Sequence, residues 1–181
     1  MIQKSNISKV LELLFDNPNK EYNLKELSRL SKIAHTSVKS YINIMIKEGI
    51  ILEKKEKKGK RIFPTYKTNI QSQEYRKLKK ISNIQRIIES GLIEYLKDKT
   101  MPRSIVLFGS YQKGEDTEES DIDIFIESTE KKVNLEQFEK KLNKKIQLHF
   151  NSDFDKYSKE LKNNIINGLK LFGFLEVFKW D

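Results

Sequence analysis

Cysteine is absent from this 181-residue chain, and histidine occurs only at His35 and His149. Disulfides, cysteine-based zinc sites and thiol nucleophiles are therefore excluded, and a histidine-rich metal site with them. Any metal must be held mainly by oxygen, which selects Mg²⁺, Mn²⁺ or Ca²⁺. Long apolar runs are missing too. The longest stretch, "GLKLFGFLEVF", falls short of the roughly 20 residues that span a bilayer and contains Lys170 and Glu176. The opening "MIQKSNISKV" has no apolar signal-peptide core. A cytoplasmic protein without a membrane partner is expected.

Positive charge is plentiful but unevenly placed. Residues 1–100 hold 22 Lys and Arg against 11 Asp and Glu, whereas residues 101–181 hold 13 against 15. Nucleic acid is the natural partner for the first part. The bland alternative is a lysine-rich, AT-biased proteome, which the many Ile, Asn and Lys residues also suit.

Apolar residues at Ile7, Val10, Leu11 and Leu14 mark one helix face after Ser5-Asn6. Asn23 offers an N-cap with Glu26 three residues on, and Leu24, Leu27 and Leu30 line a second, short helix. After the turn "SKIA", a third helix begins near His35 or Thr36, buries Val38, Tyr41, Ile42, Met45 and Ile46, and stops at Gly49. Its other face carries Thr36, Ser37, Lys39, Ser40, Asn43 and Lys47, donors suited to phosphates and to base edges in a major groove. "IILEKKEKKGKRIFPTYKT" then reads as two strands around a basic turn, with Lys58, Lys60 and Arg61 placed to meet a DNA backbone or minor groove.

This order over residues 1–68 resembles the winged helix-turn-helix of small microbial transcription regulators. The resemblance implies binding to double-stranded DNA. A protein-interaction module is the competing reading. Residues 69–99 are expected to connect two domains through one amphipathic helix, with Leu78, Ile81, Ile84, Ile88, Leu92 and Tyr95 as its stripe and only Gly91 interrupting it. That stripe is expected either to pack on its own chain or to form a homodimer.

The second half centres on "FGSYQKGEDTEESDIDIFI", residues 108–126. Ile105 to Phe108 is a short apolar run that reads as a buried strand. Gly109 permits close backbone approach, and Ser110 offers a hydroxyl at the start of a helical turn. Gly114 bends the chain away, and "EDTEE" is expected to be an exposed acidic loop. On the next strand, side-chain alternation points Asp121 and Asp123 one way and Ile122, Ile124 and Ile126 the other. Two carboxylates so placed can bridge a hard cation.

Gly109-Ser110, Gly114, Ser120 and Asp121-x-Asp123 together resemble the signature of the DNA polymerase β-like nucleotidyltransferase superfamily in its minimal form. Six fixed positions, each with a chance of about one in twenty, make coincidence remote. The resemblance covers residues 100–181 as a domain. It implies a small α/β core with a mixed sheet, so the whole chain is expected to be α+β. It further implies that Gly109, Ser110, Gly114 and Ser120 serve a nucleoside triphosphate, with ATP the expected substrate. Asp121 and Asp123 would hold Mg²⁺ or Mn²⁺ for transfer of a nucleoside monophosphate to a hydroxyl.

Active members also carry a third carboxylate on a later strand. The corresponding stretch here is "KKIQLHFNS", whose open face shows Gln147 and His149 instead. Gln147 is then a neutral ligand candidate and His149 a base candidate, since an imidazole titrates near neutrality. After it, "DFDKYSKELKNNIINGLKLFG" reads as a helix closed near Gly168 or Gly173, with Asp153 and Asp155 at its start, and "FLEVFKW" as a short strand or cap. Two functions stay open: a DNA-binding enzyme, plausibly a protein adenylyltransferase, or a DNA-binding regulator whose transferase fold only senses nucleotide. By family resemblance, the enzyme reading extends to an antitoxin beside a small all-helical partner of the HEPN type.

Overall fold

The computed structural model describes residues 5–58, 61–151, 154 and 157–176; the side chains of residues 56–58, 61 and 62 lie outside the described set. The chain divides into two compact units, Met1–Lys79 and Lys80–Asp181. Among the described residues, no helix is long and apolar enough to cross a membrane.

The first unit opens with helix α1 (Asn6–Asp16), capped where Ser5 Oγ accepts from the Ser8 amide at 3.3 Å. Helix α2 (Leu24–Ser31) is capped by Asn23, whose Oδ1 accepts from the Glu26 amide at 2.8 Å. Helix α3 (His35–Lys47) follows a left-handed residue at Lys32. Val10, Leu14, Leu27, Val38, Ile42 and Met45 fill the space among the helices. Strands β1 (Ile51–Lys58) and β2 (Arg61–Thr68) form an antiparallel hairpin. A bridge between Tyr22 and Tyr66, with amide-to-carbonyl distances of 2.9 and 2.7 Å, ties the hairpin to the segment before α2.

The expected single connecting helix is two. Helix α4 (Gln73–Ser90) ends at Gly91, whose φ of 81° breaks the hydrogen-bond ladder, and α5 (Leu92–Thr100) starts afresh. The buried stripe also differs from the expected one. Tyr75, Lys79, Asn83 and Ile87 are buried at four-residue steps, while Ile81 and Ile88 are 62% and 64% exposed. Periodicity of apolar residues misses this face because two of its four members are polar.

The second unit is built on a four-stranded mixed sheet of order β5-β4-β3-β6. Strand β3 (Ser104–Phe108) lies in its middle, antiparallel to β4 (Ile122–Ile126), and β4 runs parallel to β5 (Ile146–Phe150). Helices α6 (Gly109–Lys113) and α7 (Glu136–Leu142) lie in the β3–β4 and β4–β5 connections. Ile105, Leu107, Ile122, Ile124 and Ile126 pack on one face with Ile87, Leu92, Leu96, Phe138 and Leu142. Val106, Phe108 and Phe125 pack on the other with Phe154 and Ile165. This is the period-two alternation that the sequence carries.

Of the two closures the sequence allows for the C-terminal helix, near Gly168 or near Gly173, the structure has the earlier. Helix α8 spans only Lys159–Ile166, and Leu169–Gly173 is a strand, β6, on the free edge of β3. A short apolar run such as "LKLFG" fits either period, and the open edge of a buried strand decides for pairing. Asp153 and Asp155, read as a helix start, fall outside the described residues.

Candidate active site

The register of the central strands assembles the site. Phe108 lies opposite Asp123 in the antiparallel pair, and Gln147 lies opposite Asp123 in the parallel one. Cross-strand partners share a face, so Asp123 meets residues from three strands. The chain turns into α6 directly after Phe108, with Gly109 at φ 76°. A Cβ at Gly109 would run into the Asp123 carboxylate. Glycine is required here twice over, by its backbone angle and by the carboxylate pressed against it.

Asp121 and Gly114 frame the same end of the sheet. Gly114, at φ 73°, closes α6 and accommodates the bend that leads into the acidic loop. Asp121 precedes β4 and is exposed; among the described residues it has no hydrogen-bond or ion-pair partner. Asp123 is half-buried, and its Oδ1 lies 3.4 Å from His149 Nε2. The His149 ring packs against Phe108 with centroids 5.1 Å apart. Gln147 is exposed. Gly109 and Ser110 are partly buried at the start of α6.

Ser120 is engaged within the loop: its Oγ accepts from the Thr117 amide at 2.9 Å. The loop itself is not uniformly solvated, as "EDTEE" suggested. Asp116 is buried, accepting from Asn83 Nδ2 at 2.8 Å and facing Lys144 Nζ at 3.6 Å. No sequence pattern singled out Asn83, Asp116 or Lys144, because partners 33 and 28 residues apart leave no local signature.

A cleft of about 610 Å³ opens beside Asp121, between the acidic loop and the α7–β5 connection. Ser120, Glu139, Lys144 and Lys145 line it, whereas Gly109, Ser110 and Asp123 do not. Glu139 Oε1 accepts from the Ile146 amide at 3.1 Å, and Oε2 lies 3.2 Å from Lys145 Nζ. The Ile146 amide, helped by Lys145, holds the Glu139 carboxyl below the usual carboxylate range.

The donor set suits a divalent hard cation in part. Asp121 and Asp123 offer carboxylate oxygens that no lysine or arginine neutralises among the described residues. No group of three or more His, Asp or Glu side chains converges as a metal cage among the described residues. The chain thus offers a pair of carboxylates, the complement Mg²⁺ accepts when substrate phosphates complete its shell.

In the first unit, Thr36, Lys39, Ser40, Asn43 and Lys47 are exposed on α3 and Ser37 is half-buried, on the side away from Val38, Ile42 and Met45. The side chains of Lys58, Lys60 and Arg61 lie outside the described residues.

Residues 90–173 match the family model described as polymerase beta, nucleotidyltransferase. A protein of Methanocaldococcus jannaschii, named as a candidate protein adenylyltransferase, is 51% identical over 53 residues, which are 29% of this chain and 52% of that one. The chain therefore spans about half the length of that relative. A second such protein from the same organism is 41% identical over 63 residues, 35% of this chain and 72% of its own length. A solved structure described as a possible transcriptional regulator from Methanosarcina mazei Go1 aligns with TM-score 0.36 and 17% identity, over 53% of this chain and 76% of that one. A likeness at that score carries no weight for fold or function. The sequence matches do: the family model spans the strands, the Gly-Ser turn and the aspartates assembled above, a relative 41% identical is covered over 72% of its length, and the chain belongs to the polymerase β-type nucleotidyltransferase family.

Proposed function

We propose that the chain is a DNA-binding nucleotidyltransferase that moves AMP from ATP to a hydroxyl on a protein or nucleic acid. The observation that carries this is the seating of the Asp123 carboxylate against the bare Cα of Gly109, next but one to Asp121 and at the mouth of the Gly-Ser turn. Gly109 lets the Asp123 carboxylate seat against the turn, and Ser110 supplies a donor to phosphate there. Asp121 and Asp123 hold Mg²⁺ or Mn²⁺, which when bound supplies electrostatic stabilisation of the attacking and leaving oxygens. Asp123 also faces the His149 imidazole at Nε2, 3.4 Å away, and the other ring nitrogen, Nδ1, is read as the base for the acceptor's proton.

The first unit is read as a winged helix-turn-helix over residues 1–68, with α3 offering its polar face to double-stranded DNA. The protein adenylyltransferase names of the relatives favour a protein acceptor. A small all-helical HEPN-type protein, in a toxin–antitoxin pair, is the acceptor of first choice. Incubation of the full chain with α-labelled ATP, Mg²⁺ and candidate acceptors tests the reading. A labelled acceptor is expected, and loss of label in Asp123→Ala.

One observation favours a second reading. Gln147, not a carboxylate, stands in register with Asp123. A regulator that binds nucleotide without transferring it accounts for that exchange. No label with any acceptor, together with intact ATP binding, would select it.

A further inference from the structure

A buried cation stands behind the exposed aspartates. The side chains of Lys144 and Asp116 are 7% and 1% exposed. Lys144 Nζ donates to the carbonyls of Thr117 at 2.5 Å and Ser120 at 3.3 Å, and faces Asp116 Oδ2 at 3.6 Å. Of the ammonium's three N–H donors, the two carbonyls take two, and the charge is balanced by the Asp116 carboxylate at ion-pair distance. Asn83 on α4 ties the acidic loop to α6, giving one amide proton to Asp116 Oδ1 at 2.8 Å and one to the Tyr111 carbonyl at 2.9 Å.

The next link is the site itself. The Ser120 carbonyl belongs to the peptide that joins Ser120 to Asp121, so Lys144 fixes the plane from which the Asp121 side chain departs. One residue further, the Ile122 amide donates to the Lys145 carbonyl at 2.9 Å. The short stretch Lys144-Lys145 therefore holds the approach to β4 on one side and leads into β5, with Gln147 and His149, on the other.

We infer that Lys144, with Asp116 and Asn83 as its anchors, is a positioning residue that sets Asp121 against Asp123 for cation binding. A buried ion pair of this kind adds little to stability alone, since desolvation offsets most of its attraction. Its use here is geometric: it pins an acidic loop that would otherwise spread away from its own charge. The inference rests on the reading of Asp121 and Asp123 as cation ligands.

The test is Mn²⁺ affinity of the full chain, by electron paramagnetic resonance of free Mn²⁺ in the presence of ATP. Charge alone predicts that removing a nearby lysine tightens cation binding. Positioning predicts the opposite sign for Lys144. The charge-balanced variant Lys144→Met with Asp116→Asn should bind Mn²⁺ about tenfold or more weakly, the range seen when an outer partner of a metal ligand is removed. Its amides over residues 117–122 should exchange faster. Lys145→Met, on the exposed neighbour, should leave affinity within about twofold. Should the double variant not fold, Lys144→Met alone replaces it and should weaken Mn²⁺ several-fold, the opposite of the tightening that charge alone predicts. A folded variant with wild-type affinity overturns the inference while the carboxylate reading stands. Wild-type affinity that is indifferent to Asp121→Ala with Asp123→Ala overturns that reading, and this inference falls with it.

Discussion

The first unit buries a mostly apolar core, with Ser31, Thr68 and Lys79 as its buried polar side chains, whereas the second buries a hydrogen-bonded polar cluster beside its candidate site. Val10, Leu14, Leu27, Val38, Ile42 and Met45 hold three helices together, and the polar face of α3 is open. The second unit encloses Asn83, Gln112 and Asp116 around α6 and the acidic loop. The difference follows from what each surface is read to do. A helix that meets phosphates and base edges needs only to be held rigidly by its back. Two carboxylates that share a cation must be placed to within fractions of an ångström, against their own repulsion, so the loop that leads to them is fixed by hydrogen bonds.

The sharpest way to break this comparison is to disturb the second unit at Gly109. Gly109→Ala places a methyl in the space of the Asp123 carboxylate and strains a backbone at φ 76°. Mg²⁺-ATP affinity, measured by calorimetry, should fall roughly 100-fold, as when a preorganised electrostatic interaction is removed. Asp121→Ala with Asp123→Ala should do at least as much. Equal binding by both variants would leave the carboxylates without a role. In the first unit, by contrast, Lys39→Ala with Lys47→Ala touches nothing buried and should leave the melting temperature unchanged. The slope of log affinity for duplex DNA against log salt should flatten by about 0.9 for each phosphate that is no longer neutralised. A chain that binds no duplex at low salt would make the first unit an interaction module.

The first unit's pattern was legible because helix faces, the Asn23 cap and the basic hairpin are local features written in spacing. The Gly-Ser and Asp-x-Asp residues were equally legible, since a shared motif names them wherever the strands lie. Three things were not. The strand at 169–173 was hidden because an apolar pentapeptide does not choose its own period, and the free edge of β3 chose for it. The buried face of α4 was hidden because Lys79 and Asn83 look like solvent residues. The clamp on the acidic loop was hidden because Asp116 reads as one more charge among four, and only tertiary packing tells it from its neighbours. The candidate site sat partly in each class, which is why a motif named its residues and could not describe what supports them.

Gln147 offers a subtler probe of the second unit. It is exposed and in register with Asp123, so Gln147→Asp can add a carboxylate without displacing packed atoms. Mn²⁺ affinity should rise several-fold if this is the position of the absent third acid, because an added anion favours the cation directly. A gain of transfer activity from an inactive wild type would identify a lapsed enzyme. Unchanged affinity would place the third acid's position elsewhere on the sheet.

The smallest effect expected is at Glu139, on the far wall of the cleft, and it separates structural from functional carboxylates. The Ile146 amide and Lys145 hold its carboxyl below the ordinary value of about 4.3. A carboxyl that is more acidic in the folded chain than in the unfolded one adds stability above the unfolded value, and that stability is lost as pH falls through the folded value. Glu139→Gln should therefore lower stability by about 0.5 kcal/mol at neutral pH, the scale of a partly screened ion pair. Titrated downward, wild type and variant should converge as pH falls from the ordinary carboxylate value through the lower, folded-state value of Glu139, where the wild-type carboxyl takes up its proton. Mn²⁺ affinity should stay within about twofold throughout, since Glu139 acts on the start of β5 and not on the aspartates. Thermal melts across pH, run beside Mn²⁺ titrations, check both halves. A variant that loses cation affinity as well would move Glu139 from the wall of the cleft into the site.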